Sequence, residues 1–234
     1  MSGDKRESSV STGPLASQER REHVVCHYED QLRRHGPTAE GMDWKDAASQ
    51  NLRFRILTDG LDLTGAKVHD VGAGVGHLYE YLRDQGHNVA YSGSDLSQDM
   101  VAAARNRYPE ARFGQQDVLN LEDNSGESFD FLFCSGLFHV KLDCPEEQWA
   151  AFVEHAVGRM YALCNVAISF NMMSDRVDYR ADGLYHSNPE AMQVFCEGLG
   201  GRVVLNDDYP LYEYTVHLFK DLVKKEVQRD GKRG

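Results

Sequence analysis

Val68-His69-Asp70-Val71-Gly72-Ala73-Gly74-Val75-Gly76-His77 is the stretch on which the fold turns. An apolar run closes on an acid, three glycines alternate, and an amphipathic segment begins at Leu78. The order predicts a buried strand, a tight turn and a helix start. Glycines at the turn remove the side chains that would keep a ligand from the backbone N–H groups. The spacing discriminates as well. A dinucleotide fingerprint, Gly-x-Gly-x-x-Gly, would put its third glycine where His77 stands, and here it comes one residue early, at Gly76.

Working outward, Val89–Asp95 reads as a second strand that ends on a carboxylate 19 positions after Gly76. An acid at that distance can accept both hydroxyls of a ribose across one strand–helix–strand unit. Ala111–Val118 reads as a third strand ending in Asp117, and Phe129–Cys134 as a fourth that leads into Ser135-Gly136-Leu137-Phe138-His139. A glycine loop alone is a weak signal; four strand-end motifs in order are a strong one.

These motifs resemble those of the class I S-adenosylmethionine-dependent methyltransferases, over roughly Leu61 to Lys220. The resemblance implies an α/β fold: a Rossmann-like, seven-stranded, mostly parallel sheet with helices on both faces and an N-terminal helical cap. It implies S-adenosylmethionine as cofactor. It places Asp70, Gly72, Ala73, Gly74, Gly76 and Ser135 around that cofactor, with Asp95 and Leu96 at the ribose. Asp117 is implied at the adenine amino group, with the Val118 backbone nearby and Met100 against the adenine face. The Ser135–His139 segment lacks the Asn-Pro-Pro-Tyr type of motif for base or amide methylation. It is closer to bacterial small-metabolite enzymes, whose N-termini carry something like His35-Gly36-Pro37-Thr38 followed by Asp43-Trp44.

Composition narrows the partners. The net charge of −12 disfavours nucleic acid, whose phosphates call for a basic surface, and points to a small-molecule substrate. The longest apolar runs fall short of a membrane span, and the polar N-terminus has no secretory h-region, so a cytoplasmic protein is expected. Five cysteines without CxxC or paired-His spacing suggest reduced thiols and no metal. A monomer or homodimer is expected.

Along the chain, residues 1–17 are expected to be disordered, 18–60 to form the cap, 61–221 the cofactor-binding domain, and 222–234 a frayed basic tail. Cap helices are predicted over Glu19–Arg34, stopped by His35-Gly36-Pro37, and over Ala47–Thr58. Further helices are expected after Gly76, at Ser97–Arg107, Pro145–Leu163 and Pro189–Leu199. Asn165–Asn171 reads as a fifth strand, with Arg202–Leu205 and Tyr212–Phe219 as a closing hairpin.

Methyl transfer from a sulfonium asks the enzyme mainly to align the acceptor and remove its proton. His139, after the fourth strand, is the candidate base; the alternative is a pocket-wall hydrogen bonder. Arg53 could pair bidentately with the carboxylate of the cofactor, or be a solvated helical arginine. Tyr28 is a cofactor contact or a core aromatic of the cap. Trp44 covers the acceptor or anchors its loop. Phe138, Tyr185 and His186 are candidate substrate contacts, and Tyr179 a candidate catalytic aromatic, on loops expected to face the ligand. His69 and His77 are expected to pack or cap. Two other functions compete. In the azetidine-2-carboxylate synthase type of reaction the cofactor's own amine attacks its side chain, and Tyr179 or Tyr185 would stabilise the sulfonium. The third reading is a non-catalytic cofactor-binding regulator.

Overall fold

The computed structural model describes residues 17–120 and 129–221. The expectations for residues 1–16 and 222–234 lie outside them. Helix α1 (Gln18–His35) opens on Ser17, whose side chain accepts from the Arg20 N–H, and stops at Gly36 with φ +68° just before Pro37. Helix α2 (Ala47–Thr58) is capped by Asp46, whose carboxylate accepts from the Ser49 N–H at 2.7 Å. The remaining helices are α3 (His77–Asp84), α4 (Gln98–Arg107), α5 (Glu146–Leu163) and α6 (Pro189–Gly198). Ser97 and Asn188 cap α4 and α6, and acids fill the first turn of α5 at Glu146 and Glu147.

The strands are β1 (Lys67–Val71), β2 (Ala90–Asp95), β3 (Arg112–Gln115), β4 (Phe129–Cys134), β5 (Cys164–Ser174), β6 (His186–Ser187), β7 (Arg202–Asn206) and β8 (Glu213–Phe219). The sheet runs β3-β2-β1-β4-β5-β8-β7, with β8 antiparallel to both neighbours and the two-residue β6 beside the end of β5. The expected seven strands are therefore present, with β6 as an eighth. Strand order reverses between β1 and β4, and in open α/β sheets a ligand crevice forms at that switch point.

Alternation along the strands sorts the core onto two faces. In β4, Leu132 and Cys134 join the cluster around α5 and α6, while Phe131 and Phe133 join the one around α2, α3 and α4. The rule breaks at one place. Ser169 and Asn171 of β5 and Glu213, Thr215 and His217 of β8 are all buried, and both strands contact α2. A polar seam thus replaces the apolar face there. No helix among the described residues is long and apolar enough to cross a membrane.

Candidate active site

One cleft opens at the switch point, enclosing about 1090 Å³ of empty space with its solvent-facing part included. Its floor is the turn after β1. Gly72, Gly74 and Gly76 have φ of +74°, +52° and +86°. A Cβ on Gly76 would stand 2.9 Å from both Phe113 and Tyr108, and one on Gly74 would stand 3.0 Å from the Met42 sulfur. Only glycine allows this turn to lie flat against its neighbours.

The acids at the strand ends face the same space. Asp95 accepts from the Gly74 and Ser97 N–H groups, each at 2.9 Å, so it ties the glycine turn to the end of β2. Burial raises its pKa, and those N–H donors oppose the rise. Asp70 accepts from the Tyr91 hydroxyl at 2.7 Å, and burial pushes its pKa up to about 7. Asp117 accepts from Arg21 of α1 at 2.8 Å and from the Leu119 N–H at 3.0 Å.

Helix α1 closes the other side. Arg21, Val24, Val25 and Tyr28 follow the i, i+3, i+4, i+7 stripe and line the cleft. Two cross-links hold the helix there: Arg21 to Asp117, and the Ser97 hydroxyl to Glu29 at 2.7 Å. Burial, with Asp43 and Asp95 nearby, raises the Tyr28 pKa and keeps its phenol protonated.

Of the residues expected around a cofactor, Tyr28, Asp70, Gly72, Ala73, Gly74, Asp95, Leu96, Met100, Asp117, Val118 and Ser135 line this cleft. Gly76 stands behind it as the helix cap of α3. Arg53 does not line it. Its guanidinium forks onto Glu213, with Nε at 3.0 Å from both carboxylate oxygens and Nη2 on Oε1, and Nη1 donates to the Ser49 carbonyl at 3.0 Å. The side chains are 10% and 4% exposed, so this is a buried ion pair, and the expected pairing of Arg53 with a cofactor carboxylate is corrected. Glu213 also accepts from Asn171 Nδ2 at 3.0 Å, and Asn171 Oδ1 accepts from the Gly136 N–H at 2.9 Å.

The acceptor-side expectations divide. Trp44 lines the cleft, and Arg53 lies over its ring at 4.1 Å. Phe138 does not: it is fully buried, edge-on to Phe152 and Phe170. Tyr185 is a core aromatic of the α5–α6 side, and His186 is buried in β6. Tyr179 is 78% exposed and away from the cleft. The loop expected after residue 171 begins later, because β5 continues through Ser174. His139 is buried and outside the cleft lining, in edge-to-face contact with Trp44 at 5.7 Å. Its Nε2 has no hydrogen-bond partner. Burial lowers its pKa; Glu213 opposes that and Arg53 reinforces it, and the shift favours the neutral imidazole. Of the two histidines beside the turn, His77 meets Gln50 at 3.0 Å and also lines the cleft, whereas His69 bonds to Ser92 and Ser94.

Sequence reasoning missed Arg21, Gln116, Ser97 and Met42 as cleft residues and the Glu213–Asn171 link behind it. The i, i+4 stripe of α1 could have shown Arg21. Nothing local marks Glu213.

Comparison with known proteins agrees with this geometry. A model described as a methyltransferase domain matches residues 68–159. A Mycobacterium tuberculosis protein named as a methyltransferase is 32% identical over 152 residues, covering 64% of this chain and 90% of that protein. Burkholderia thailandensis 1,6-didemethyltoxoflavin-N1-methyltransferase has a similar fold, with a TM-score of 0.62 at 23% identity over 91% of this chain and 94% of its own. Magnesium protoporphyrin IX methyltransferase from Synechocystis is similar at a TM-score of 0.51 and 20% identity, over 89% and 87% of the two chains. The glycine turn, the strand-end acids and these likenesses together identify the chain as a member of the class I S-adenosylmethionine-dependent methyltransferase family.

Proposed function

We propose that the protein transfers a methyl group from S-adenosylmethionine to an O, N or C atom of a small molecule. The observation that carries this is the convergence of Asp95, Asp117, Asp70 and the glycine turn on one cleft roofed by α1. Solved structures of similar fold hold the cofactor or S-adenosylhomocysteine. The residues fit such a group. Asp95 keeps lone pairs for ribose hydroxyls after meeting its two N–H donors. Met100 and Val118 give an apolar face for a flat base. When bound, S-adenosylmethionine supplies a methyl group already activated on a sulfonium.

The chain's own part is alignment and proton removal. His139 supplies a neutral imidazole with an unpartnered Nε2 next to Trp44, able to take a proton released by the acceptor. Asn171 holds the turn before it through the Gly136 N–H. The likeness to enzymes named for methylating 1,6-didemethyltoxoflavin and magnesium protoporphyrin IX supports a small acceptor.

The test begins with purified protein and S-adenosylmethionine alone, with products followed by mass spectrometry. Intact, bound cofactor is expected. Methylthioadenosine with an azetidine acid would instead show the cyclising reaction, which wants aromatics at the sulfonium; Tyr179 and Tyr185 lie outside the cleft. With an acceptor in hand, His139→Gln is expected to lower kcat about 10²–10⁴-fold with cofactor affinity unchanged, the usual scale of general-base catalysis. Wild-type kcat in that variant refutes the base assignment.

A further inference from the structure

Trp44 sits in an unusual place. Its ring is covered on one side by the Arg53 guanidinium, 4.1 Å from the ring centroid. Gly136 lies against it so closely that a Cβ there would stand 2.5 Å from the indole. The His139 ring meets it edge-to-face at 5.7 Å. The turn under it carries two buried polar atoms with no hydrogen-bond partner, Ser135 Oγ and His139 Nε2. Buried polar groups are nearly always partnered in native structures, so each of these two atoms faces a position that a ligand group or a water satisfies. Ser135 and Trp44 both line the cofactor cleft, so the position is contiguous with it.

Neither the ion pair nor the glycine is explained by anchoring a loop. Arg53 is fixed by Glu213, which is fixed by Asn171, which holds the Gly136 N–H. Arg53, Glu213, Asn171, Gly136 and Trp44 thus form a closed circuit around one flat slot. The Arg53 guanidinium covers the ring face and the side-chain-free backbone of Gly136 meets the rim of its six-membered ring, so a planar ring fits in the same place. The segment that delivers Trp44 is a short 3-10 turn, Glu40–Met42, and Asp43 in the left-handed region at φ +59°, a conformation a non-glycine residue adopts at some cost.

We infer that the slot filled by Trp44 is the acceptor subsite, that it takes a flat aromatic ring bearing an ionisable O–H or N–H, and that Trp44 leaves as the ring enters. This rests on the methyltransferase reading above. Trp44 then competes with the acceptor from within the chain. The apparent acceptor affinity is reduced by the fraction of molecules with the slot open. The orphan atoms of Ser135 and His139 gain their partner from the O–H or N–H of the ring.

The test is isothermal titration of the full chain, saturated with S-adenosylhomocysteine, using 2-naphthol and its saturated, non-planar counterpart decahydro-2-naphthol. Trp44→Ala is expected to bind 2-naphthol about tenfold more tightly than wild type, corresponding to a slot open in about a tenth of wild-type molecules. The saturated ring should gain less than about threefold, since it cannot stack flat on the guanidinium. Trp44→Phe should fall between wild type and Trp44→Ala, and it carries the same comparison if the alanine variant does not fold. Equal gains for the two probes, or no gain while S-adenosylhomocysteine still binds, overturn the inference and leave the methyltransferase reading standing. Failure of wild type to bind S-adenosylhomocysteine overturns the reading itself.

Discussion

Removing Arg53 is predicted to cost far more stability than a surface arginine would, because the group it neutralises is itself buried. Glu213 is 4% exposed and its remaining donor is Asn171, a neutral amide at 3.0 Å. A carboxylate left in that setting is an uncompensated buried charge, and truncating one partner of such a pair costs about 3–5 kcal/mol. An exposed pair would be worth about 0–1 kcal/mol. For a chain of this size each kcal/mol moves the melting midpoint by about 2–4 °C, so Arg53→Ala should melt about 6–20 °C lower. The double variant Arg53→Ala with Glu213→Gln removes both charges together and should recover at least about half of that loss. The assay is urea denaturation at pH 7.5 of wild type, both single variants and the double, read as a thermodynamic cycle. A loss under about 1 kcal/mol for Arg53→Ala, or additive single losses, would refute the claim that the polar seam under α2 is held by this pair.

Three further outcomes follow from single sites. Asp95→Asn keeps the shape but gives up charge-assisted acceptance, which should weaken S-adenosylhomocysteine about 5–30-fold by calorimetry; unchanged affinity places the ribose elsewhere. Gly76→Ala combines φ +86° with a Cβ at 2.9 Å from Tyr108 and Phe113, and should cost about 2–4 kcal/mol in a urea titration. His69 is buried between Ser92 and Ser94, and desolvation lowers its pKa from 6.5 to about 4. The unfolded chain therefore takes up that proton first as pH falls. Stability should be full above pH 6.5 and drop by about 3 kcal/mol on the way to pH 4, and His69→Gln should flatten that slope.

Much of the fold was legible because its signals are local. A strand that ends on Asp70 and turns on three glycines needs only ten consecutive residues to be read. Ser97, Pro145 and Pro189 mark helix starts by chemistry confined to one turn. The strand-end acids followed from the βαβ spacing, and the structure brings them to one cleft. The loop contacts were not legible. Tyr179 and Tyr185 looked alike in sequence as aromatics after a strand, yet one is exposed and the other core, since nothing within a loop records what packs against it.

The sequence by itself determined the doubly wound sheet, the glycine turn and the strand-end acids that line the cleft, because periodicity, capping and φ > 0 requirements act between near neighbours. Tertiary structure alone decided the polar seam between α2 and the sheet. Arg53 and Glu213 are 160 positions apart, and Asn171 and Gly136 are 35 apart. Whether a guanidinium faces a cofactor or a buried carboxylate depends on which strand α2 packs over. Desolvation then makes that choice decisive, since a charge taken out of water must find its partner wherever the chain brings one.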